Sequence, residues 1–300
     1  MSDRPLPMAE AAAVPWTRAF YWSLRRELWE HRALYLAPLA VAAFAMLIHL
    51  LATFTTAGVR SASLADPARS RGFMMHYDAV TGLIVISALL VGVLYAVGAL
   101  YGERRDRSVL FWKSLPVSDT TTVLSKAAVP MLVLPVVIFG LAVAATIVMA
   151  ALQSFVWSLQ GFDPRTLWGR LDLPFLWLSL LYGLPFMVLW YAPIYAWLLL
   201  VSAWAPRWPF MWAAAPFLAA FIVQHTILHH TVGHWALERR LGGGVIQPFS
   251  AGGEGKVWIE RLSDLEPLRL YTLPGLWVGV ALAAAFLAAA IHMRRTRGPI

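Results

Sequence analysis

Six apolar runs separated by polar segments set the pattern of this chain: Ala33 to Thr56, Ala79 to Gly102, Ala127 to Ser154, Leu173 to Ala205, Pro209 to His230 and Leu270 to Met293. A helix needs about 20 apolar residues to cross a bilayer, so each run is long enough to span one. The fourth contains Pro174, Pro185 and Pro193; each proline removes a backbone donor, which predicts a tilted, kinked or broken span. Ahead of the first run, Trp16, Phe20, Leu24 and Leu28 recur at steps of four, while Arg18, Arg25 and Arg32 recur at steps of seven on another face. That pattern predicts an amphipathic interfacial helix with its apolar side in the acyl boundary and its basic side toward lipid headgroups. The fold expected is an all-α integral membrane protein. Residues 1–32 form a tail and interfacial helix, and residues 33–300 form a six-span domain with a charged loop at 103–122 and an outer loop at 231–269.

Composition supports the membrane assignment. Sixty per cent of residues are hydrophobic and 15 of 300 are Trp, with a mean hydropathy of +0.65, well outside the soluble globular range. The absence of Cys excludes disulfides, thiolate metal sites and cysteine nucleophiles together. The formal charge of +8 does not point to nucleic acid, because basic residues sit mainly at the ends of apolar runs, where they meet headgroups and set orientation. With six spans, the side holding both termini carries 14 of the 24 basic and 7 of the 16 acidic residues. That excess predicts cytoplasmic termini. Met1 to Val14 is polar and contains acids without an apolar core, so no cleavable signal is expected and the first span inserts as an anchor.

Between the second and third runs lies Tyr101-Gly-Glu-Arg-Arg-Asp-Arg-Ser-Val-Leu-Phe-Trp-Lys-Ser-Leu-Pro-Val-Ser-Asp119, in which seven residues are charged against 13% for the whole chain. Such a loop cannot lie in hydrocarbon. Its centre, Ser108 to Lys113, has the make-up of a short amphipathic helix suited to lying on a partner's surface; a solvated connector that merely sets topology is the other reading. The stretch Glu-Arg-Arg-Asp-Arg-Ser followed by Phe-Trp-Lys-Ser-Leu-Pro-Val-Ser-Asp resembles the first cytoplasmic loop of ABC-type-2 export permeases over about 30 residues. The six-span layout and Leu181-Tyr-Gly-Leu-Pro185 extend the likeness weakly along the chain.

That resemblance implies a bacterial inner-membrane permease subunit, itself no enzyme, that pairs with a second copy or a paralogue. Two copies of a separate ATPase would bind ATP and Mg and dock on the loop. Glu103, Arg104, Arg105, Asp106, Arg107, Phe111, Trp112 and Lys113 would form the coupling contact, with Phe111 and Trp112 as apolar anchors. It also implies an N-terminal connecting helix and short re-entrant helices before the last span, which suits the glycines and apolar pieces of the outer loop.

Other chemistry is thinly represented. Gly252-Gly-Glu-Gly-Lys256-Val has Ser250 and Val257 where a phosphate-binding loop needs Gly and Ser or Thr, so no nucleotide site is visible in the chain. His225, His229, His230 and His234 hold imidazoles at i and i+4 spacings that can bind zinc or copper, but no Glu stands between them for a metalloprotease. Interfacial histidines with ordinary partners are the plainer reading. Intramembrane ionisable groups are almost confined to His49 and the terminal Asp78 and Lys126, which disfavours an ion-coupled carrier or an aspartyl protease. Aromatics crowd the fourth and fifth runs. Tyr182, Phe186, Trp190 and Tyr191 are candidates for an aromatic translocation path suited to a peptide antibiotic or drug-like amphiphile, with an interfacial belt as the competing explanation for the aromatic density. Two other classes stay open: a membrane metalloenzyme built on the four histidines, and an ATP-independent channel or carrier.

Overall fold

The computed structural model describes residues 15–65, 67–115, 117–169, 171–226, 240, 242–244, 250–251, 257–258 and 267–298. Its helices are α1 (Trp16–Glu30), α2 (Ala33–Ala65), α3 (Pro67–Gly98), α4 (Tyr101–Arg105), α5 (Ser108–Ser114), α6 (Asp119–Ala128), α7 (Leu134–Leu159), α8 (Arg165–Trp168), α9 (Leu173–Trp204), α10 (Pro209–Thr226), α11 (Pro267–Tyr271) and α12 (Pro274–Thr296). A π-helical turn, Val129–Val133, joins α6 to α7. Two-residue strands at Ser250–Ala251 and Val257–Trp258 pair antiparallel.

The protein is an all-α, multi-pass membrane protein. Among the described residues five helical stretches are long and apolar enough to cross a bilayer: Ala33–Thr55, Met74–Arg105, Asp119–Leu159, Arg165–Trp204 and Pro274–Thr296. They coincide with five of the six predicted runs. The remaining run is helical over Pro209–Thr226, about 27 Å at 1.5 Å per residue, and starts antiparallel to the end of α9, where Trp197 Nε1 donates to the Ala213 carbonyl at 3.2 Å. Bare apolar side chains such as Phe44, Leu47, Ile48 and Leu51 on α2 and Leu90 and Leu94 on α3 are about half exposed or more. A patch of that extent suits acyl chains and is costly in water.

α9 is the central helix. Of the tilt, kink or break that its prolines suggested, the break does not occur: it stays continuous through Pro185 and Pro193 because most of it is enclosed, with Leu180, Phe186, Met187, Trp190, Tyr195 and Leu199 all buried. Its start is capped by Asp172, whose carboxylate accepts from Phe175 N at 3.1 Å, satisfying one orphan donor of the first turn. α2 and α3 form a long hairpin whose helices run past the apolar segments to Ala65 and from Pro67.

α1 is placed differently from the sequence expectation. Leu24 and Leu28 pack against the main core, so its apolar side covers protein rather than acyl chains. Most of the outer loop lies outside the described residues, as do the re-entrant helices expected there.

Candidate functional site

At the end of the bundle that carries the charged loop, four helices deliver ionised side chains to one buried point. α1 brings Arg26 and Glu27, α4 brings Glu103, α6 brings Asp119 and Lys126, and α12 brings Arg294. Lys126 Nζ lies 2.7 Å from Glu27 Oε1 and 3.1 Å from Glu103 Oε1. Arg294 bridges onward, Nη1 to Glu103 Oε2 at 2.5 Å and Nε to Asp119 Oδ1 at 3.0 Å. Arg26 Nη2 closes the group, 2.8 Å from Glu27 Oε1 and 3.3 Å from Glu103 Oε1. The Tyr95 hydroxyl donates to Glu27 Oε2 at 2.8 Å.

Glu27 is fully buried and Lys126 is 1% exposed. Isolated, either charge would be costly to bury. Here three cations face three carboxylates, and almost every lone pair of Glu27 is taken. Burial pushes the Glu27 carboxyl up, but the Lys126 ammonium and the Arg26 guanidinium outweigh it and hold the pKa at about 2. The joined ends of α1, α4, α6 and α12 therefore behave as one block.

The charged loop is built on this block. Arg104 turns inward and Nη1 donates to the carbonyls of Ala203 and Ala205 at 2.9 and 3.2 Å, supplying a cation to the C-terminus of α9. Ser202 Oγ accepts from the backbone N–H of Leu100 and Tyr101, which fixes the start of α4 to the same helix end. Arg107, at φ 58°, makes the left-handed step from α4 to α5. In α5, Val109 is buried while Leu110 and Phe111 are 58% and 59% exposed. Trp112 is half-buried, with the Arg26 guanidinium 3.9 Å above its ring. A groove of about 240 Å³ runs between α1 and α5, floored by Arg26 and Trp112.

Of the eight residues expected at a coupling contact, Arg105, Asp106, Arg107, Phe111 and Lys113 face outward. Arg105 and Asp106 pair with each other at 3.0 Å. Glu103 and Arg104 are spent inside the chain, and Trp112 is shared between the groove and Arg26. Arg294, one of the basic residues at the end of an apolar run that the sequence would send to headgroups, pairs inside the chain instead, and Glu27 was not singled out as part of a site. The available signal was an acid on the Phe20, Leu24 and Leu28 side of α1.

The aromatic candidates for a path are packed within the chain. Phe186 and Trp190 stack at 5.3 Å, and Trp190 Nε1 donates to the Arg240 carbonyl at 2.9 Å. Gly244 sits so close to Tyr191 and Trp190 that a Cβ there would fall 2.5 Å from the Tyr191 ring. Tyr182 is half-buried. His49 meets Gln153 Oε1 at 3.2 Å, and the Tyr77 hydroxyl donates to the same oxygen at 3.0 Å. Of the histidine group, His225 belongs to α10, and His229, His230 and His234 lie outside the described residues. Among the described residues no three His, Cys, Asp or Glu side chains are placed to hold a metal ion.

In comparison with known proteins, the chain matches no family model, no curated protein and no solved structure.

Proposed function

We propose that the chain is the membrane subunit of an ATP-driven exporter, with six spans and its charged end facing the cytoplasm of a bacterial cell. Two such subunits, or one and a paralogue, would enclose the path, and ATP and Mg would be bound by a separate pair of ATPase subunits. The observation that carries this reading is α5: a short helix presenting Leu110 and Phe111 to solvent while seated on the ionic block that ties α1, α4, α6 and α12 together. A partner that pulls on α5 pulls on the ends of several spans at once. The resemblance of the Glu103 to Asp119 stretch to export-permease coupling loops supports the same reading.

In this mechanism Phe111 and Leu110 enter an apolar groove of the ATPase, and Arg105, Arg107 and Lys113 meet acidic groups at its rim. Closure of the ATPase pair displaces α5, and the block passes the displacement to α6 and α12, shifting the bundle between inward- and outward-facing states. Phe186, Trp190 and Tyr191 are packed inside the chain and lend no support to an aromatic path, so the peptide or drug-like amphiphile rests on the sequence resemblance alone.

The first test is whether a neighbouring reading frame encodes an ATPase with a phosphate-binding loop; with that partner, two kinds of variant are compared in reconstituted membranes. Phe111→Ala with Arg105→Ala is expected to lose co-purification. Glu103→Gln is expected to keep docking and lose stimulated hydrolysis. If both variants bind and stimulate as the parent does, the assignment fails.

A further inference from the structure

We infer that the outward face of α1 is a seat for anionic phospholipid headgroups, a conclusion that does not depend on the exporter reading. The inward face of α1 is already occupied, since Leu24 and Leu28 pack on the core and Glu27 is locked in the ionic block. At 100° per residue, Arg18, Tyr21, Trp22, Arg25 and Trp29 then share one arc of about 100° on the face opposite the core, with Trp22 at its edge also lining the groove between α1 and α5. Tyr21, Trp22 and Trp29 are 57%, 50% and 63% exposed. Arg25 lies between the two indoles, its guanidinium 5.1 Å from the Trp22 centroid and 4.6 Å from that of Trp29.

No carboxylate pairs with Arg18, Arg25 or Arg32 among the described residues. The two acids of α1 are engaged elsewhere, Glu27 in the block and Glu30 with Arg26 at 3.6 Å. Three unpaired cations interleaved with half-exposed Trp and Tyr match the headgroup layer, where indoles anchor and arginines meet phosphate. Continuity along the chain selects a phospholipid as the occupant. Arg32 stands in the turn into α2, and directly after it Tyr35, Leu36 and Leu39 open the exposed apolar flank of that helix. A phospholipid whose chains lie along this flank sets its phosphate at the level of the arginines. A net negative headgroup such as phosphatidylglycerol is favoured over a zwitterionic one by about fivefold for each arginine that meets it.

The experiment is native mass spectrometry of the full chain from micelles containing equal parts phosphatidylglycerol and phosphatidylcholine, with no partner protein present. The parent is expected to retain phosphatidylglycerol at least about fivefold over phosphatidylcholine. The triple variant Arg18→Gln, Arg25→Gln, Arg32→Gln should fall to near parity, and the matching triple Lys variant should keep most of the preference. Melting in pure phosphatidylcholine micelles separates lipid preference from folding; if the triple variant unfolds there, Arg25→Gln alone should lower the preference about fivefold. No preference in the parent, or an undiminished preference in the Gln variants, overturns the inference.

Discussion

Glu27 and Lys126 show how much weight a single buried pair carries. Removing Lys126 leaves Glu27 with Arg26 and the Tyr95 hydroxyl but without its closest cation, at a cost of up to about 3–5 kcal/mol. Lys126→Met is therefore expected to lower the melting temperature in micelles sharply, and Lys126→Met combined with Glu27→Gln to recover part of that loss. A double variant no more stable than the single one would disprove the coupling. The pH dependence follows from the same geometry. The Glu27 carboxyl has a folded pKa of about 2 against an ordinary 4.5, so its contribution is fully present above about 4.5 and is lost as pH falls through about 2. By linkage the contribution is on the order of 3 kcal/mol at most. Melting curves of Glu27→Gln should therefore lie below those of the parent at neutral pH and converge on them between about 4.5 and 2.

At the scale of elements, hydropathy located most of the spans. Five of the six apolar runs become helices that can cross a bilayer, because length and apolar content are local properties of the chain. The continuity of α9 was not legible, since whether Pro185 and Pro193 break a helix depends on what encloses them. The ionic block was hidden for a related reason. Glu27 and Lys126 are 99 positions apart, and a charge at the end of an apolar run looks the same whether it meets a headgroup or a carboxylate on another helix. The Arg-Trp face of α1 was half legible: its period showed, but which side the protein would cover did not. The π turn at Val129–Val133 carries Pro130 and is followed by Pro135, whose missing backbone donors are its local signal. Inserting one alanine between Ala127 and Ala128, in the regular helix ahead of that turn, rotates the rest of α6 by about 100° relative to α7. That rotation should carry Lys126 and Asp119 away from Glu27 and Arg294, lowering the melting temperature about as far as Lys126→Met does. An unchanged melting curve would mean that the register of α6 does not hold the block together.

For the whole molecule, the block makes one end of the bundle stiff while the outer flanks of α2 and α3 remain bare for lipid. In the exporter proposed above, force applied at α5 would be conducted through charge pairs rather than through aliphatic packing, which inside a bilayer discriminates little between protein and lipid neighbours. The buried core of the block balances three cations against three carboxylates, with the half-exposed Glu30 at its rim, and this has an electrical consequence. A charge moved across the full membrane potential exchanges about 2.3 kcal/mol per 100 mV, but a neutral core exchanges almost nothing however far it travels. For the proposed exporter, turnover in proteoliposomes should accordingly be flat as an imposed potassium diffusion potential is varied, and Asp119→Asn, which leaves the core with one surplus positive charge, should make it slope. The salt bridges would then do more than hold helices together: they would isolate the stroke of the machine from the voltage of the membrane in which it works.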